Sequence, residues 1–314
     1  MIRFRTHQEI NKSSWDSCIE NSANGNLTAF SWYLDLVCPG WCALVEDDYA
    51  NVFPLPISEK AGFRYSMQPW FTQQLGLFGI DYSSKQKMAE FLQAIPSDFK
   101  YIDLNFNSFN QFYSMPELHE MINIELDLNR NYSEISVAYQ TNLKRNLKKA
   151  ENQQLRFTTD VSPQQLTELF KNNRGAELKQ IGVAQYELIQ KIAETAVNKN
   201  LGEINGVFDL SNQLVAAGLW IKSHKKTVFL FSGLSAEGKK SNAMPWLIDT
   251  YIQKHAGKCL TLDFEGSSNQ GIARFYLSFG SQKTEYQRYF RNSLPGHLKL
   301  ALTIYRRLKE IRKK

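Results

Sequence analysis

The 314-residue sequence has no long apolar run, few cysteines and no low-complexity stretch. A helix that crosses a bilayer needs about 20 consecutive apolar residues, so the sequence predicts no transmembrane segment. The first residues lack both the apolar core and the small-residue cleavage site of a signal peptide. These absences predict a cytoplasmic protein. Hydrophobic residues make up 43% and charged residues 22%, a composition typical of a globular protein with a substantial core.

The four cysteines and five histidines form no recognisable ligand set. Cys38 and Cys42 are spaced as CPGWC, but no second pair of Cys or His at ligand spacing accompanies them. Zinc sites of this type need two such pairs. We therefore expect no metal, and we expect reduced thiols that are buried or half-buried.

The formal net charge of +6 is concentrated at the C-terminal end. Residues 296–314 hold seven basic side chains and one acid, Glu310, so the rest of the chain is balanced. An apolar stripe runs along the same residues, which predicts a basic amphipathic helix. The helix would contact tRNA phosphates, lie on an anionic membrane at its inner face, or dock by its apolar stripe with its cations in water.

Patterns of alternating and helical periodicity predict an α+β fold. Predicted strands lie at 41–46, 51–58, 64–68, 74–79, 101–106, 123–128, 155–159, 203–210, 214–222 and 227–234. Predicted helices lie at 83–95, 133–153 (capped by Ser133), 162–175, 184–199 and 268–278. Two domains are expected, at 1–132 and 154–295, each a mostly antiparallel twisted sheet flanked by helices. The basic helix 133–153 would connect them, and the helix 296–314 would follow.

Three local patterns resemble the FemAB-like members of the GNAT (N-acyltransferase) superfamily. They are QPWFTQQLGLFG (68–79), NLKRNLKKAEN (142–152) and LDFEGSSNQGIARFYLSFG (262–280). The resemblance covers about residues 25–290 and implies two tandem GNAT-like domains. It also implies transfer of an acyl or aminoacyl group, from acyl-CoA or aminoacyl-tRNA, to an amine. In some branches of the family this amine belongs to a cell-envelope precursor.

The resemblance implies that the donor binds just after the strand 227–234. GNAT proteins carry a glycine-rich pyrophosphate loop there, and this chain has EGKKSNAMPW (237–246). Backbone N–H groups of a small loop and the start of the next helix would hold the phosphates. Backbone groups of the strand 227–233 would hold the acyl carbonyl. The predicted donor contacts are Gly238, Lys239, Lys240, Ser241, Asn242 and Ala243.

Asp263 and Glu265 end a predicted strand, and Tyr276 lies in the helix that follows. A carboxylate here would accept the proton of the attacking amine, and Tyr276 would donate to the oxyanion or to the leaving group. Alternatively, the carboxylates would satisfy the N-terminus of the helix 268–278, and Tyr276 would be buried with one hydrogen bond. Many family members have Lys in place of Tyr276, so this position departs from the family pattern.

Six further side chains are expected to contact the acceptor: Lys144, Arg145, Lys148, Trp70, Gln73 and Arg274. The basic helix would suit an anionic substrate, or its cations would simply face water. For Trp70 the alternative is core packing, and for Arg274 it is a surface ion pair. The leading hypothesis is an N-acyltransferase or aminoacyltransferase. The alternative is a catalytically inactive GNAT-fold protein that binds an anionic glycan or lipid intermediate.

Overall fold

A computed structural model of the chain describes residues 1–60, 62–176, 178, 181–258, 260–266, 269–300 and 304. The chain forms two compact units. Unit 1 comprises residues 1–24 and 38–121 and the described residues from 286 onward. Unit 2 comprises residues 25–37 and 122–285. Each unit is therefore assembled from segments that are separated in the sequence.

Strands and helices are mixed along the chain. The strands are β1 (Ile2–Arg5), β2 (Cys42–Glu46), β3 (Asn51–Leu55), β4 (Ser58–Lys60), β5 (Phe63–Met67), β6 (Phe78–Gly79), β7 (Phe99–Asn105), β8 (Leu118–Asp127), β9 (Arg156–Thr158), β10 (Gly202–Phe208), β11 (Leu214–Ser223), β12 (Lys226–Leu234), β13 (Thr261–Asp263) and β14 (Gln282–Asn292). The α-helices are α1 (Lys12–Asn21), α2 (Ser31–Val37), α3 (Lys85–Ala94), α4 (Tyr132–Val137), α5 (Thr141–Glu151), α6 (Pro163–Phe170), α7 (Val183–Asn198), α8 (Ala236–Lys240), α9 (Ala243–His255) and α10 (Gln270–Leu277). The mixed α+β class predicted from the sequence is confirmed.

Unit 1 contains an antiparallel sheet in the order β1-β2-β3-β6. A second group of strands pairs β4 with β5, β5 in parallel with β7, and β7 with residues 288–292 of β14. Its core is rich in aromatic rings, and Phe53 packs against both Phe91 and Phe106. Burial of such rings from both sheet groups and from α3 stabilises the unit.

In unit 2 the strands pair in the order β8, β13, β12, β11, β10, β9. Leu219 and Trp220 of β11 face Phe231 and Phe229 of β12, so Leu230 is an extra residue that forms a bulge. The bulge directs Phe229 and Phe231 to opposite faces. Phe229 stacks on Trp220, which stacks on Tyr251 of α9 with ring centroids 3.7 Å apart. Phe231 instead packs on Phe170 of α6, so helices cover both faces.

The prediction of one long helix at 133–153 is wrong, because the chain forms two helices there, α4 and α5. The cap of α4 is Asn131 and not Ser133, since the Asn131 side chain accepts the backbone N–H of Glu134. Between the helices, Gln140 is extended and its N–H donates to the carbonyl of Ser278. This tertiary hydrogen bond replaces the intrahelical one and interrupts the helix.

Two other predicted features differ from the structure. Only Phe78–Gly79 of the predicted strand 74–79 is extended in a ladder, because Gly76 has a φ of +117° that turns the backbone. The compact units also divide the chain differently from the predicted domains 1–132 and 154–295. Residues 25–37 and 122–132 lie in unit 2, because they contribute helix α2 and part of strand β8 to it.

The predicted helix 296–314 falls mainly on residues 301–303 and 305–314, which lie outside the described residues. Residues 296–300 and residue 304 are helical. In the described part of the chain, every helix is too short or too polar to cross a membrane.

Candidate active site

The parallel strands β12 and β13 of unit 2 pair over only three residues. Lys226–Val228 pair with Thr261–Asp263, after which β12 runs on to Leu234. Among the described residues, β12 beyond Val228 has a ladder partner only on its β11 side. Within the described part of the chain, the ladder between β12 and β13 therefore ends before the bulge at Leu230.

A polar cluster lies where the two strands are still paired. Lys226 Nζ lies 2.6 Å from Glu125 Oε1 and 3.1 Å from Asp263 Oδ2. Asn123 Nδ2 donates to Glu125 Oε1 and to Asp263 Oδ1, both at 3.0 Å. The antiparallel register of β8 and β13 places Asp263 directly opposite Glu125. Three strands therefore contribute to one cluster in which carboxyl groups outnumber the cation.

Burial controls the electrostatics of this cluster. It raises the pKa of the Glu125 carboxyl, although Lys226 opposes the shift. Burial lowers the pKa of Lys226, but the charges of Asp263 and Glu125 outweigh that effect and raise it overall. Lys226 therefore carries its charge at neutral pH. Its side chain is 27% exposed, whereas that of Asp263 is only 6% exposed.

Glu265 follows the strand in a left-handed backbone conformation, with a φ of +56°. Its N–H donates to Asp263 Oδ1 at 2.8 Å, which fixes the turn. The next residue is Gly266, also left-handed, and a Cβ there would lie 2.4 Å from the carbonyl oxygen of Ile122. A side chain at 266 is thus excluded, and the turn that holds Glu265 needs glycine at this position. Burial, and then the charge of Asp263, raise the pKa of Glu265 well above its usual value.

Tyr276 lies on α10 beside this turn. Its ring stacks on Phe264, with centroids 4.5 Å apart and planes at 14°, and makes an edge contact with Phe229. Burial, and then the nearby Glu265, raise the pKa of Tyr276 to about 12. A phenol with this pKa keeps its proton at neutral pH and can act as a hydrogen-bond donor.

The structure places Asp263, Glu265 and Tyr276 near one another, and their catalytic role stays a prediction. It also separates the roles of the carboxyl groups. Both oxygens of Asp263 accept hydrogen bonds, from Asn123, Glu265 and Lys226. Asp263 therefore orients its neighbours. Glu265 is the candidate proton acceptor on a different ground, because burial raises its pKa.

Sequence reasoning missed Asn123, Glu125 and Lys226. Lys226 falls between the predicted strands 214–222 and 227–234, but it is the first residue of β12. In the segment NIELDL, Asn123 and Glu125 alternate with Ile124 and Leu126. Such period-two alternation puts the polar pair on one face of a strand. An amide and an acid on one face of a strand were the sequence signal that could have identified these two residues.

The predicted donor segment is helical and does not form a loop. Residues 236–240 form α8, and Asn242, in a left-handed conformation, precedes α9, which starts at Ala243. Gly238 is buried, and a Cβ there would lie 2.2 Å from the carbonyl oxygen of Val215. This glycine is therefore needed for packing against β11. Lys239 and Lys240 are exposed, and Ser241 donates to the carbonyl of Glu237.

The predicted acceptor contacts lie in both units. Trp70, 45% exposed, and Gln73 belong to unit 1. Lys144, Arg145 and Lys148 are exposed on α5 in unit 2, where Lys144 Nζ donates to the carbonyl of Val137. Arg274 is exposed on α10, and its Nε donates to the carbonyl of Gln270. Their role in acceptor binding stays a prediction.

Within the described residues, no group of three or more His, Cys, Asp or Glu side chains is arranged to hold a metal ion. The cluster at the end of β13 instead has a lysine ammonium between its carboxyl groups.

No protein-family model and no curated protein matches the sequence. Solved structures do match it in three dimensions. FemX matches with a TM-score of 0.64 and 13% identity, over 90% of this chain and 96% of FemX. L-PGS from Bacillus licheniformis matches with a TM-score of 0.55 and 12% identity, over 96% of this chain and 97% of that one.

A third similar structure is the C-terminal domain of a putative lysylphosphatidylglycerol synthetase from Agrobacterium fabrum. Its TM-score is 0.54 and its identity 9%, over 93% of this chain and 94% of that domain. The chain therefore shares the fold of FemX, of L-PGS and of this synthetase domain. The fold expected from the three sequence patterns is confirmed.

Proposed function

We propose that the protein transfers an acyl or aminoacyl group to an amine, with the cluster at the end of β13 as its acceptor site. The observation that carries this proposal is the excess of carboxyl groups over cations around Lys226. A partly exposed, net acidic cluster attracts a protonated amine. It lies at the end of the ladder between β12 and β13, beyond which β12 runs on to Leu234, and the acyl carbonyl would lie along this part of β12.

Each side chain takes a distinct role in this reaction. Glu265 accepts the proton that frees the lone pair of the acceptor amine, because burial raises its pKa and makes its carboxylate a stronger base than an ordinary one. The amine nitrogen attacks the acyl carbon, a C–N bond forms, and the bond from the acyl carbon to the donor oxygen or sulfur breaks. Tyr276 gives the leaving group its proton, and its phenolate then takes the second proton that the nitrogen loses as the amide forms. Asp263 and Lys226 hold the geometry.

We favour aminoacyl-tRNA over acyl-CoA as the donor. The region expected to hold a pyrophosphate is helical, and its one glycine packs against β11. Pro245, at the third position of α9, also has no N–H to offer. Phosphates would then meet exposed cations such as Lys239 and Lys240 instead of a backbone cradle. One similar structure is named a lysylphosphatidylglycerol synthetase, which fits transfer of an aminoacyl group.

The acceptor and the remaining partners follow as proposals. The acceptor is an amine of a cell-envelope precursor, with Lys144, Arg145 and Lys148 near its anionic groups. The basic residues of 296–314 would then make peripheral contact with tRNA or with an anionic membrane.

The proposal is tested by replacing Glu265 with Gln. Purified protein is incubated with lysyl-tRNA or with acetyl-CoA and a panel of primary amines, and the amide product is measured by mass spectrometry. Loss of a general base lowers the rate by about 10²–10⁴-fold, so we expect a loss in that range with unfolding temperature preserved. The wild-type rate should rise with pH through an apparent pKa well above 4.5, because only the deprotonated carboxylate accepts a proton.

The matched control is Glu237→Gln, which removes an exposed acid on α8 and should leave the rate unchanged. Absence of transfer from both donors to every amine tested would overturn the proposal. So would an E265Q variant as active as E237Q.

One observation favours the alternative, a catalytically inactive binding protein for an anionic glycan or lipid intermediate. Tyr276 stands where many family members have Lys, and its ring is packed on Phe264 beside the proposed site. Retention of an anionic glycan or lipid by the native protein, with no turnover of either donor, would support this second function.

A further inference from the structure

A groove of about 480 Å³ lies in unit 1, between α1 and the turns at 48–50 and 79–80. Its volume falls within the range of about 300–1,000 Å³ that is typical of small-ligand sites. None of its lining residues belongs to unit 2, which holds the proposed transfer site. The groove therefore calls for an explanation of its own.

One wall of the groove is a face of α1 that carries small polar side chains: Ser13, Ser14, Ser17 and Asn21. The opposite face of α1 is buried through Trp15 and Ile19. Serine and asparagine are weaker helix formers than Ala, Glu or Lys, which would suit exposed positions better. Within the described residues, the hydroxyls of Ser13 and Ser14 have no hydrogen-bond partner, so they are available to a ligand.

The other wall is a pair of rigid turns. Tyr49 has a φ of +66°, which is unfavourable for an aromatic residue. Its hydroxyl accepts the backbone N–H of Asn11 at 2.6 Å, which ties the turn to the start of α1. Gly79 approaches so closely that a Cβ would lie 2.2 Å from the carbonyl oxygen of Ala50. The wall is thus fixed before any ligand arrives, and a preformed site loses little entropy on binding.

The chemistry of the lining is neutral and rich in hydroxyl groups. Asp48 is the one charged residue among those that line the groove, and the lining includes no Lys, Arg or His. Ile80 adds an apolar surface that is 78% exposed. Hydroxyl, amide and carboxylate groups hydrogen-bond a ring of hydroxyls, while Ile80 packs on its C–H face. A phosphate would meet the Asp48 carboxylate without a compensating cation.

We propose that this groove binds a neutral sugar ring. The site is independent of the transfer reaction, so either proposal can fail without the other.

The test is an NMR titration of the ¹⁵N-labelled full chain with N-acetylglucosamine, with methyl β-glucopyranoside and with sodium phosphate. We expect both sugars to shift amide signals of residues 13–21, 48–50 and 79–80, and phosphate to leave them unchanged. Ser17→Tyr, which fills the groove, should weaken sugar binding on the order of tenfold or more. Ser17→Ala should also weaken it while keeping or raising the unfolding temperature, because Ala is the better helix former.

The matched control is Glu20→Gln, an exposed position of α1 outside the lining, which should bind like the wild type. The proposal is overturned if neither sugar shifts the groove signals. It is equally overturned if phosphate shifts them as strongly, or if the folded S17Y variant binds the sugars as well as E20Q does.

Discussion

Lys226 is the residue on which the polar cluster of unit 2 depends. It donates to carboxyl groups from two different strands, Glu125 on β8 and Asp263 on β13. Because these carboxyl groups are largely buried, their charges need a cation close by. The lysine thereby holds the carboxyl groups at the end of β13 in place beside Glu265.

Lys226→Met is expected to destabilise the protein by about 2 kcal/mol. The cost lies below the ~3–5 kcal/mol of a fully buried pair, because Lys226 is 27% exposed. Urea unfolding measures it, with Lys239→Met, exposed on α8, as the control that should change stability by less than about 0.5 kcal/mol. Adding Glu125→Gln to K226M should recover part of the loss. Equal stability of K226M and K239M would contradict this account.

At the same scale, the sequence predicts that Asp263 and Glu265 are site residues, but it does not predict the side chains that hydrogen-bond to Asp263. The sequence predicts Asp263 and Glu265 as site residues because they lie at the end of a predicted strand within a family-like pattern. Asn123 is 140 positions before Asp263, and no local periodicity reports which distant strand will lie beside β13. Long-range pairing of this kind becomes visible only when the register of the strands is known.

At the scale of elements, α8 shows how one glycine has been used for packing. The predicted loop has become one turn of helix capped by Ser235, whose side chain accepts the N–H of Gly238. The helix lies so close to β11 that only glycine fits at 238. The small polar residues of this segment resemble a phosphate-binding loop in sequence, but in the structure Gly238 allows a close contact between α8 and β11.

Gly238→Ala is expected to lower stability by about 1–3 kcal/mol, as overpacking usually does. An exposed glycine in a helix would gain about 0.5–1 kcal/mol on the same change, so the predicted sign depends on the 2.2 Å contact with Val215. Thermal unfolding measures the change. Gly296→Ala, where a Cβ would meet nothing within 4 Å, is the matched control and should be neutral or stabilising. A G238A protein as stable as G296A would show that α8 can move away.

At the scale of the whole molecule, both units are discontinuous in sequence. Strand β7 of unit 1 pairs with residues 288–292, and β13 of unit 2 pairs with residues 125–127. The α+β class follows from local periodicity, which helices and strands carry within a few residues. Which residues belong to each unit does not follow from local periodicity, because it depends on contacts between segments far apart in the chain.

Fragments cut at the sequence-based boundary should therefore fail to fold. Residues 1–132 lack the part of β14 that pairs with β7, and residues 133–295 lack the part of β8 that bears Asn123 and Glu125. We expect neither fragment to give a cooperative unfolding transition in far-ultraviolet circular dichroism, whereas the full chain should. A cooperative transition from either fragment alone would sink this prediction.

The pairing of β7 with β14 also bears on how the protein is made. Strand β7 ends at Asn105, and its partner strand ends at Asn292. At about 5–20 residues per second, a ribosome takes roughly 10–40 s to synthesise the chain between them. During that interval β7 lacks its partner strand β14, and its unpaired edge can pair with a strand of another nascent chain. We therefore expect newly made protein to depend on chaperones until β14 has been synthesised.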